Sequence, residues 1–110
     1  MLPGSRLECR VVDRGPDYVV VRLSGDLSSE SPPARVERAL EDEYVNAGVR
    51  FIRIDLEDVE WIDLEGIGVL IEMFRRSERR GKSMSVEHAH GSVRDKLRTT
   101  GVLRLLERAS

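Results

Sequence analysis

Four short segments alternate between apolar and polar residues, as strands do when one face of a sheet is buried and the other faces solvent. They are residues 7–13, 18–24, 50–56 and 83–88. Gly15 and Pro16 separate the first two segments and favour a turn, so these two segments are predicted to form a hairpin. Strands buried on both faces of a parallel sheet would be apolar throughout. The alternation therefore predicts one sheet with helices packed mainly on one side.

Three further segments have the apolar spacing of amphipathic helices. Ser31 is suited to the N-cap of the first helix, and Gly48 to its C-terminal stop. The second helix stops at Gly81, and its apolar stripe contains Ile67, Leu70, Ile71 and Phe74. Ser92 and Asp95 approximate a capping box for the third helix. The order β-β-α-β-α-β-α predicts an α/β domain with a small mixed sheet of four to five strands.

The size, charge and cysteine content of the chain limit the classes of protein to which it can belong. Its 110 residues suit one domain, so residues 1–110 are predicted to form a single unit. A net charge of −2 provides no positive field to attract nucleic acid or anionic lipid. No segment has the apolar length of a membrane span or a secretory signal, so direct membrane insertion is not expected. Cys9, the only cysteine, cannot form an internal disulfide, which favours a cytoplasmic protein.

Motifs that would indicate catalysis or a cofactor are missing from the sequence. There is no G-x-S-x-G nucleophile elbow. Gly66 and Gly68 lack the third glycine of the dinucleotide fingerprint, because position 71 is Ile71, and no Walker lysine follows. His88 and His90 form an H-x-H pair without a cysteine or a well-spaced third ligand, which favours a strand-end loop over a metal site. The sequence therefore predicts no catalytic residue, no cofactor and no metal.

Asp63 and Glu65 stand before the second helix, at the end of an acidic stretch. The helix dipole and free backbone amides stabilise carboxylates at a helix N-terminus, and they also suit a phosphate. The acids within residues 55–60 are interpreted as a solvated loop. Gly66 and Gly68 are interpreted as allowing a tight turn and close packing of the helix on a strand. Because acids at this place could act only as a helix cap, their function stays open at this point.

Three stretches together carry a resemblance to a known family. They read VVVRLSGDLS, FIRIDLEDVEWIDLEGIGVL and RRGKSMSVEHAHGSVRDKLRTTGVL. In order and spacing they resemble the STAS domain, which is found in bacterial anti-sigma-factor antagonists and at the ends of sulfate-type anion transporters. The resemblance covers residues 7–106. It implies a small sheet backed by helices on one face, and a binding module rather than an enzyme.

In antagonists of this family, a turn resembling D-S-S-G-L-G carries a regulatory serine or threonine just before its first glycine. An anti-sigma factor that is also a kinase phosphorylates that residue. The turn is matched by Asp63, Gly66, Ile67 and Gly68, whereas Leu64 and Glu65 replace its two hydroxyl residues. The resemblance therefore places Glu65 at the phosphoacceptor position. Glu65 could mimic a phosphate, or the domain could bind its partner constitutively without kinase control, and the second interpretation is favoured.

The resemblance also implies where a partner binds. The loop that often reads G-E-L-D in the family has Ser28 in place of its last acid. The partner, an anti-sigma factor with serine kinase activity or another signalling protein, is expected to contact this loop, the turn and the flank of the second helix. Met73 is expected on the exposed edge of that helix. The predicted partner-binding residues are Asp26, Ser28, Ser29, Asp63, Leu64, Glu65, Gly66, Gly68, Val69, Glu72 and Met73.

Two alternative functions stay open. The stretch HGSVRDKLRTTGVL also resembles the STAS module of transporters, which would make the chain a regulator or subunit of an anion or lipid transporter. The turn at Glu65 could instead serve a sensor of a small molecule or nucleotide. The domain is expected to be a monomer or a weak homodimer, and its final helix is expected to be short or absent.

Overall fold

The computed structural model describes residues 7–28 and 33–108. Within these ranges the chain forms the strands β1 (Glu8–Arg14), β2 (Tyr18–Leu27), β3 (Phe51–Ile62) and β4 (Ser83–Glu87). It also forms the helices α1 (Pro33–Val45), α2 (Leu64–Arg79), α3 (Gly91–Thr99) and α4 (Val102–Arg108). The predicted order of the first seven elements is confirmed, and the final helix is short, with 7 residues.

The sheet is mixed and has the strand order β1-β2-β3-β4. β1 pairs antiparallel with β2, as in the predicted hairpin, whereas β3 runs parallel to both β2 and β4. Parallel neighbours need crossover connections, and α1 and α2 provide them. Because β2 and β3 are parallel, the segments that follow these two strands leave the sheet at the same edge.

One face of the sheet packs against the helices and forms the core. The buried strand residues of this face include Val19, Val21, Leu23, Ile52, Ile54, Leu56, Met84 and Val86. The helices cover them with their apolar stripes, which include Val36, Leu40, Ile67, Leu70, Phe74, Val93 and Leu97. The alternate strand positions include Tyr18, Arg22 and Arg53 and face the other way. The predicted placement of the helices mainly on one side of the sheet is confirmed.

β3 is longer than the sequence predicted, because residues 57–62 continue the strand instead of forming a solvated acidic loop. Its pairing with β2 contains two irregularities along this stretch. As a result the fully buried residues Leu56, Val59 and Ile62 are three positions apart. This spacing obscures the two-residue period of a regular strand. The interpretation of the acids as a loop was therefore wrong.

The predicted C-terminal stop of α2 at Gly81 is confirmed. Gly81 has a φ of 73°, in the left-handed region that glycine adopts readily. Its N–H donates to the carbonyl of Glu78 at 3.0 Å, and the N–H of Lys82 donates to the carbonyl of Ser77 at 2.9 Å. These two bonds satisfy carbonyls of the last turn, as in the common glycine-terminated helix end.

The other predicted helix ends differ from the structure. α1 ends at Val45, three residues before Gly48, so Gly48 does not form its stop. Ser31, the predicted N-cap of α1, lies outside the described residues. The N-cap of α3 is His90, which makes no side-chain capping bond, so the capping box predicted at Ser92 was wrong.

Candidate functional site

The turn between β3 and α2 is closed by Asp63. Its backbone is extended, with φ −118° and ψ −175°, and its Oδ1 accepts a hydrogen bond from the N–H of Gly66 at 2.9 Å. The carboxylate thus satisfies one of the free amides of the helix N-terminus. The N–H of Asp63 donates to the carbonyl of Leu27 at 3.3 Å, which joins the turn to the end of β2. The predicted helix N-terminus is confirmed, with Glu65 in the first turn.

Gly66 brings α2 into direct contact with the end of β2. A Cβ atom at this position would lie 1.9 Å from the carbonyl oxygen of Leu27 and 3.0 Å from Cγ1 of Ile62. The interpretation of Gly66 as a residue that allows close packing of helix and strand is therefore confirmed. At Gly68 a Cβ atom would have no heavy atom within 4 Å, so the same interpretation was wrong for that glycine.

A groove of about 480 Å³ runs along α2 beside this turn. Its lining residues are Ser28, Glu37, Leu64, Glu65, Gly68, Val69, Glu72, Met73 and Arg76. The structure thus places the end of β2, the first turn of α2 and the flank of α2 on one surface. Most of the residues predicted to bind a partner lie there.

Three of the other predicted site residues do not line the groove. Asp63 and Gly66 belong to the turn, one as the N-cap of α2 and the other as its point of closest packing. Asp26 lies in β2, where its register partner is Trp61 of β3. Ser29 lies outside the described residues.

Sequence reasoning missed two residues of the groove, Glu37 of α1 and Arg76 of α2. Nη2 of Arg76 lies 3.5 Å from Oε1 of Glu37, and its Nε lies 3.6 Å from Oε2 of Glu72. Glu72 precedes Arg76 by four residues, and side chains at this spacing are neighbours on a helix. The sequence could therefore have predicted this pair. The contact with Glu37 had no such signal, because it depends on the packing of α1 against α2.

The groove combines carboxylates with apolar surface. Of the residues that the structure describes, Glu37, Glu65 and Glu72 line it together with Arg76, so acidic groups predominate among them. Ion pairs between exposed side chains are weak, and these carboxylates can therefore exchange their contacts for others. Leu64 lies beside them and is 77% exposed. An exposed leucine next to a groove is a feature typical of surfaces that bind other molecules.

Met73 does not lie on the exposed edge of α2, and that prediction was wrong. Only 1% of its surface is accessible, and it belongs to the hydrophobic core. The apolar stripe of α2 is wide enough to bury Met73 together with Leu70 and Phe74. Met73 therefore forms part of the floor of the groove rather than an accessible contact.

A second group of charged side chains surrounds Asp55 of β3, which is 2% exposed. Arg22 donates to its Oδ2 from Nε at 3.1 Å and from Nη2 at 3.0 Å. The N–H of Glu57 donates to its Oδ1 at 2.9 Å, and Nδ1 of His88 lies 3.1 Å from the same oxygen. Burial raises the pKa of Asp55, but these contacts outweigh it and hold that pKa below its ordinary value. The contact with Asp55 raises the pKa of His88.

His88 and His90 follow the last residue of β4, as the strand-end interpretation predicted. His88 has a φ of 64°, which is uncommon for a residue other than glycine. Nε2 of His90 lies 2.7 Å from the carbonyl oxygen of Glu57. Because His88 contacts Asp55, both histidines hold this loop against β3.

Comparison with known proteins assigns the chain to a family. The sequence matches the profile of the STAS domain over residues 10–109, and the chain therefore belongs to the STAS domain family. Within this family it is similar to anti-sigma-factor antagonists. It is 28% identical over 74 residues to the anti-sigma-B factor antagonist of Listeria monocytogenes, a match that covers 67% of this chain and 63% of that protein's length.

Solved structures share the fold. An anti-sigma factor antagonist from Mycobacterium paratuberculosis gives a TM-score of 0.71 at 22% identity, with 96% of this chain and 86% of that chain covered. The murine anion transporter Slc26a9 gives a TM-score of 0.73 at 16% identity, with 84% of this chain and 15% of the transporter covered. At these identities the likeness shows the fold alone. Of the helices in residues 7–28 and 33–108, none combines the length and the apolar character needed to span a bilayer.

Proposed function

We propose that this STAS domain is a regulatory module of the cytoplasm, which binds a signalling protein through the groove along α2 and catalyses no reaction. The observation that carries the proposal is the position of Glu65, in the first turn of α2 and on the lining of the groove. By the family resemblance, Glu65 stands where antagonists of the family have their regulatory serine or threonine. Since Glu65 has no hydroxyl group, a serine kinase cannot switch the site by phosphorylating it.

The groove favours a partner surface that is basic and presents an apolar side chain. Glu37, Glu65 and Glu72 would attract lysine or arginine residues, and Leu64 would contact the apolar group. The relative from Listeria monocytogenes is named an antagonist of an anti-sigma factor. We therefore propose an anti-sigma factor as the partner. An anti-sigma factor encoded beside this chain's gene is the partner to test.

Glu65 is a poor substitute for a phosphate. A carboxylate carries a charge of about −1, whereas a phosphate carries about −1.5 to −2 together with three acceptor oxygens. The helix N-terminus stabilises Glu65 without any partner, since the dipole favours negative charge in the first turn. We therefore propose constitutive binding, with Glu65 as part of the resting surface rather than as an imitation of the phosphorylated form.

Replacing Glu65 distinguishes these two roles. We expect the parent chain, Glu65→Ser and Glu65→Gln to bind the adjacent anti-sigma factor with affinities within about threefold of one another, because one charge at the rim of an interface contributes little. Calorimetric titration of the three proteins measures this. A large gain in affinity shared by both variants would show that Glu65 mimics phosphate. No binding by the parent chain would contradict the proposed function itself.

Leu64 tests the groove as the docking surface. Leu64→Asp is expected to weaken binding of the anti-sigma factor by roughly 30-fold, or about 2 kcal/mol, because it places a charge where an apolar contact forms. Leu105→Asp makes the same exchange at an exposed leucine of α4 that does not line the groove, and it should bind as the parent does. Equal affinities for the two variants would count against this surface.

A second candidate function rests on the resemblance of residues 90–103 to the STAS module of transporters. The shared fold with the anion transporter Slc26a9 is compatible with it. The chain would then regulate an anion or lipid transporter. Binding to the cytoplasmic part of an adjacent transporter, with no binding to an anti-sigma factor, would favour this candidate. A small-molecule sensor is a third candidate, since the groove volume of about 480 Å³ falls in the range of ligand pockets.

A further inference from the structure

Three side chains of types that can bind a metal ion converge beside the sheet, outside the groove proposed to bind a partner. Asp55 and Glu57 come from β3, and His88 comes from the loop that follows β4. One potential ligand atom from each residue lies within 4.8 Å of the other two. The sequence pattern allowed a metal pair at His88 and His90 but favoured a strand-end loop. It did not indicate the two carboxylates, because they lie more than thirty residues earlier in the chain than His88.

The distance between His88 and Asp55 suits two ligands of one metal ion, and the distance between His88 and Glu57 is slightly longer. Nδ1 of His88 lies 3.1 Å from Oδ1 of Asp55 and 3.9 Å from Oε1 of Glu57. Ligand atoms bonded to one Zn²⁺ at about 2.0–2.2 Å lie roughly 3–3.6 Å apart when they are neighbours in its coordination shell. Glu57 is exposed, so its side chain can adjust the longer distance. An ion pair between His88 and Asp55 involves only two side chains, whereas a metal site would also use the nearby carboxylate of Glu57.

Asp55 is already held in a ligating orientation. Arg22 occupies its Oδ2, and the N–H of Glu57 occupies one acceptor site on its Oδ1. A carboxylate oxygen accepts two contacts, and the second acceptor site of Oδ1 faces Nδ1 of His88. An ion bound there would replace the direct contact between these two atoms. Hydrogen bonds of this kind orient metal ligands and tune the affinity of a site. The bond from His90 to the carbonyl oxygen of Glu57 holds the loop that carries His88.

The charges around the cluster favour a cation. Two further carboxylates add negative charge beside Asp55 and Glu57. Asp58 interacts electrostatically with Arg22, and Glu87 interacts electrostatically with His88. Arg22 and Arg53 balance only part of this negative charge. We propose that Asp55, Glu57 and His88 bind a divalent transition-metal ion through Oδ1, Oε1 and Nδ1, with water completing the coordination. One imidazole and two carboxylates suit Zn²⁺ better than Mg²⁺, which prefers oxygen ligands alone.

Calorimetric titration of the untagged, EDTA-treated chain with ZnCl₂ tests the site. We expect one saturable Zn²⁺ ion per chain and no comparable binding of MgCl₂. His88→Asn and Glu57→Gln should each weaken Zn²⁺ binding by about 10-fold or more. The first removes the imidazole nitrogen, and the second replaces an anionic carboxylate with a neutral amide, which is a weaker ligand. Asparagine is chosen at position 88 because it tolerates the left-handed backbone found there. Glu60→Gln, at an exposed carboxylate of the same strand that is not part of the cluster, is the matched control and should bind Zn²⁺ as the parent does. Circular dichroism checks that all variants are folded.

The alternative outcomes overturn the proposal. An absence of saturable Zn²⁺ binding by the parent chain would rule the site out. Unchanged affinity in folded His88→Asn or Glu57→Gln would show that other groups bind the ion. An equal loss in Glu60→Gln would show that the negative charge of this region attracts the ion without the three proposed ligands.

Discussion

Gly66→Ala is expected to destabilise the domain by about 3 kcal/mol or more, a large part of the free energy of unfolding of a small domain. The new Cβ atom would lie 1.9 Å from the carbonyl oxygen of Leu27. That oxygen belongs to the backbone of β2 and accepts the N–H of Asp63, so it cannot move without loosening the turn. Denaturant unfolding followed by circular dichroism measures the loss.

Gly68→Ala is the matched control on the same helix. A Cβ atom there meets no heavy atom within 4 Å. In a helix interior, alanine is more stable than glycine by roughly 0.5–1 kcal/mol. We expect this variant to be slightly more stable than the parent chain. If Gly66→Ala were stabilised to the same extent, the close approach of α2 to β2 would be wrong.

Met73→Asp is expected to unfold the domain, with a loss of about 4 kcal/mol or more. The side chain is 1% exposed, so the substitution both removes apolar packing and buries a charge without a partner. Thermal unfolding would show a very low melting temperature or no cooperative transition. A loss of partner binding in this variant would therefore report the loss of the fold rather than the position of an interface.

Leu64→Asp provides the comparison, because Leu64 lines the same groove but is 77% exposed. Its stability should stay within about 0.5 kcal/mol of the parent value, as for most exposed substitutions. An acid in the first turn of α2 also interacts favourably with the helix dipole. Similar stability losses in Met73→Asp and Leu64→Asp would contradict the burial of Met73. Leu64 is therefore the position at which partner binding can be tested without disturbing the core.

The groove along α2 has its position because β2 and β3 pair in parallel. Both strands end at one edge of the sheet, so Ser28 after β2 and the turn after β3 become neighbours. The hydrogen bond from Asp63 to Leu27 and the close packing at Gly66 then fix the start of α2 against β2. Leu64 and Glu65 are consequently presented from a rigid helix end, which suits recognition of a protein.

The sequence by itself determined the features that depend on neighbouring residues. The alternation along the strands and the helical spacing between them predicted the order of elements and a sheet with helices mainly on one side. Asp63 as the helix cap and Gly81 as the helix stop were also predictable, because each forms hydrogen bonds within five residues of itself. The family resemblance pointed to the turn around Glu65, since its glycines and its cap are contiguous in the chain.

Only the tertiary structure decided the features that depend on distant residues. The irregular pairing with β2 extends β3 to Ile62, and the packing of α2 buries Met73 while Leu64 stays exposed. The helix pattern did not distinguish these two residues, because the edge of an apolar stripe is set by the elements packed against it. His88 reaches Asp55 across 33 positions only because β3 and β4 are parallel neighbours. Contacts between residues so far apart in the chain leave no periodic pattern in the sequence. They form only when the chain folds and brings these residues together.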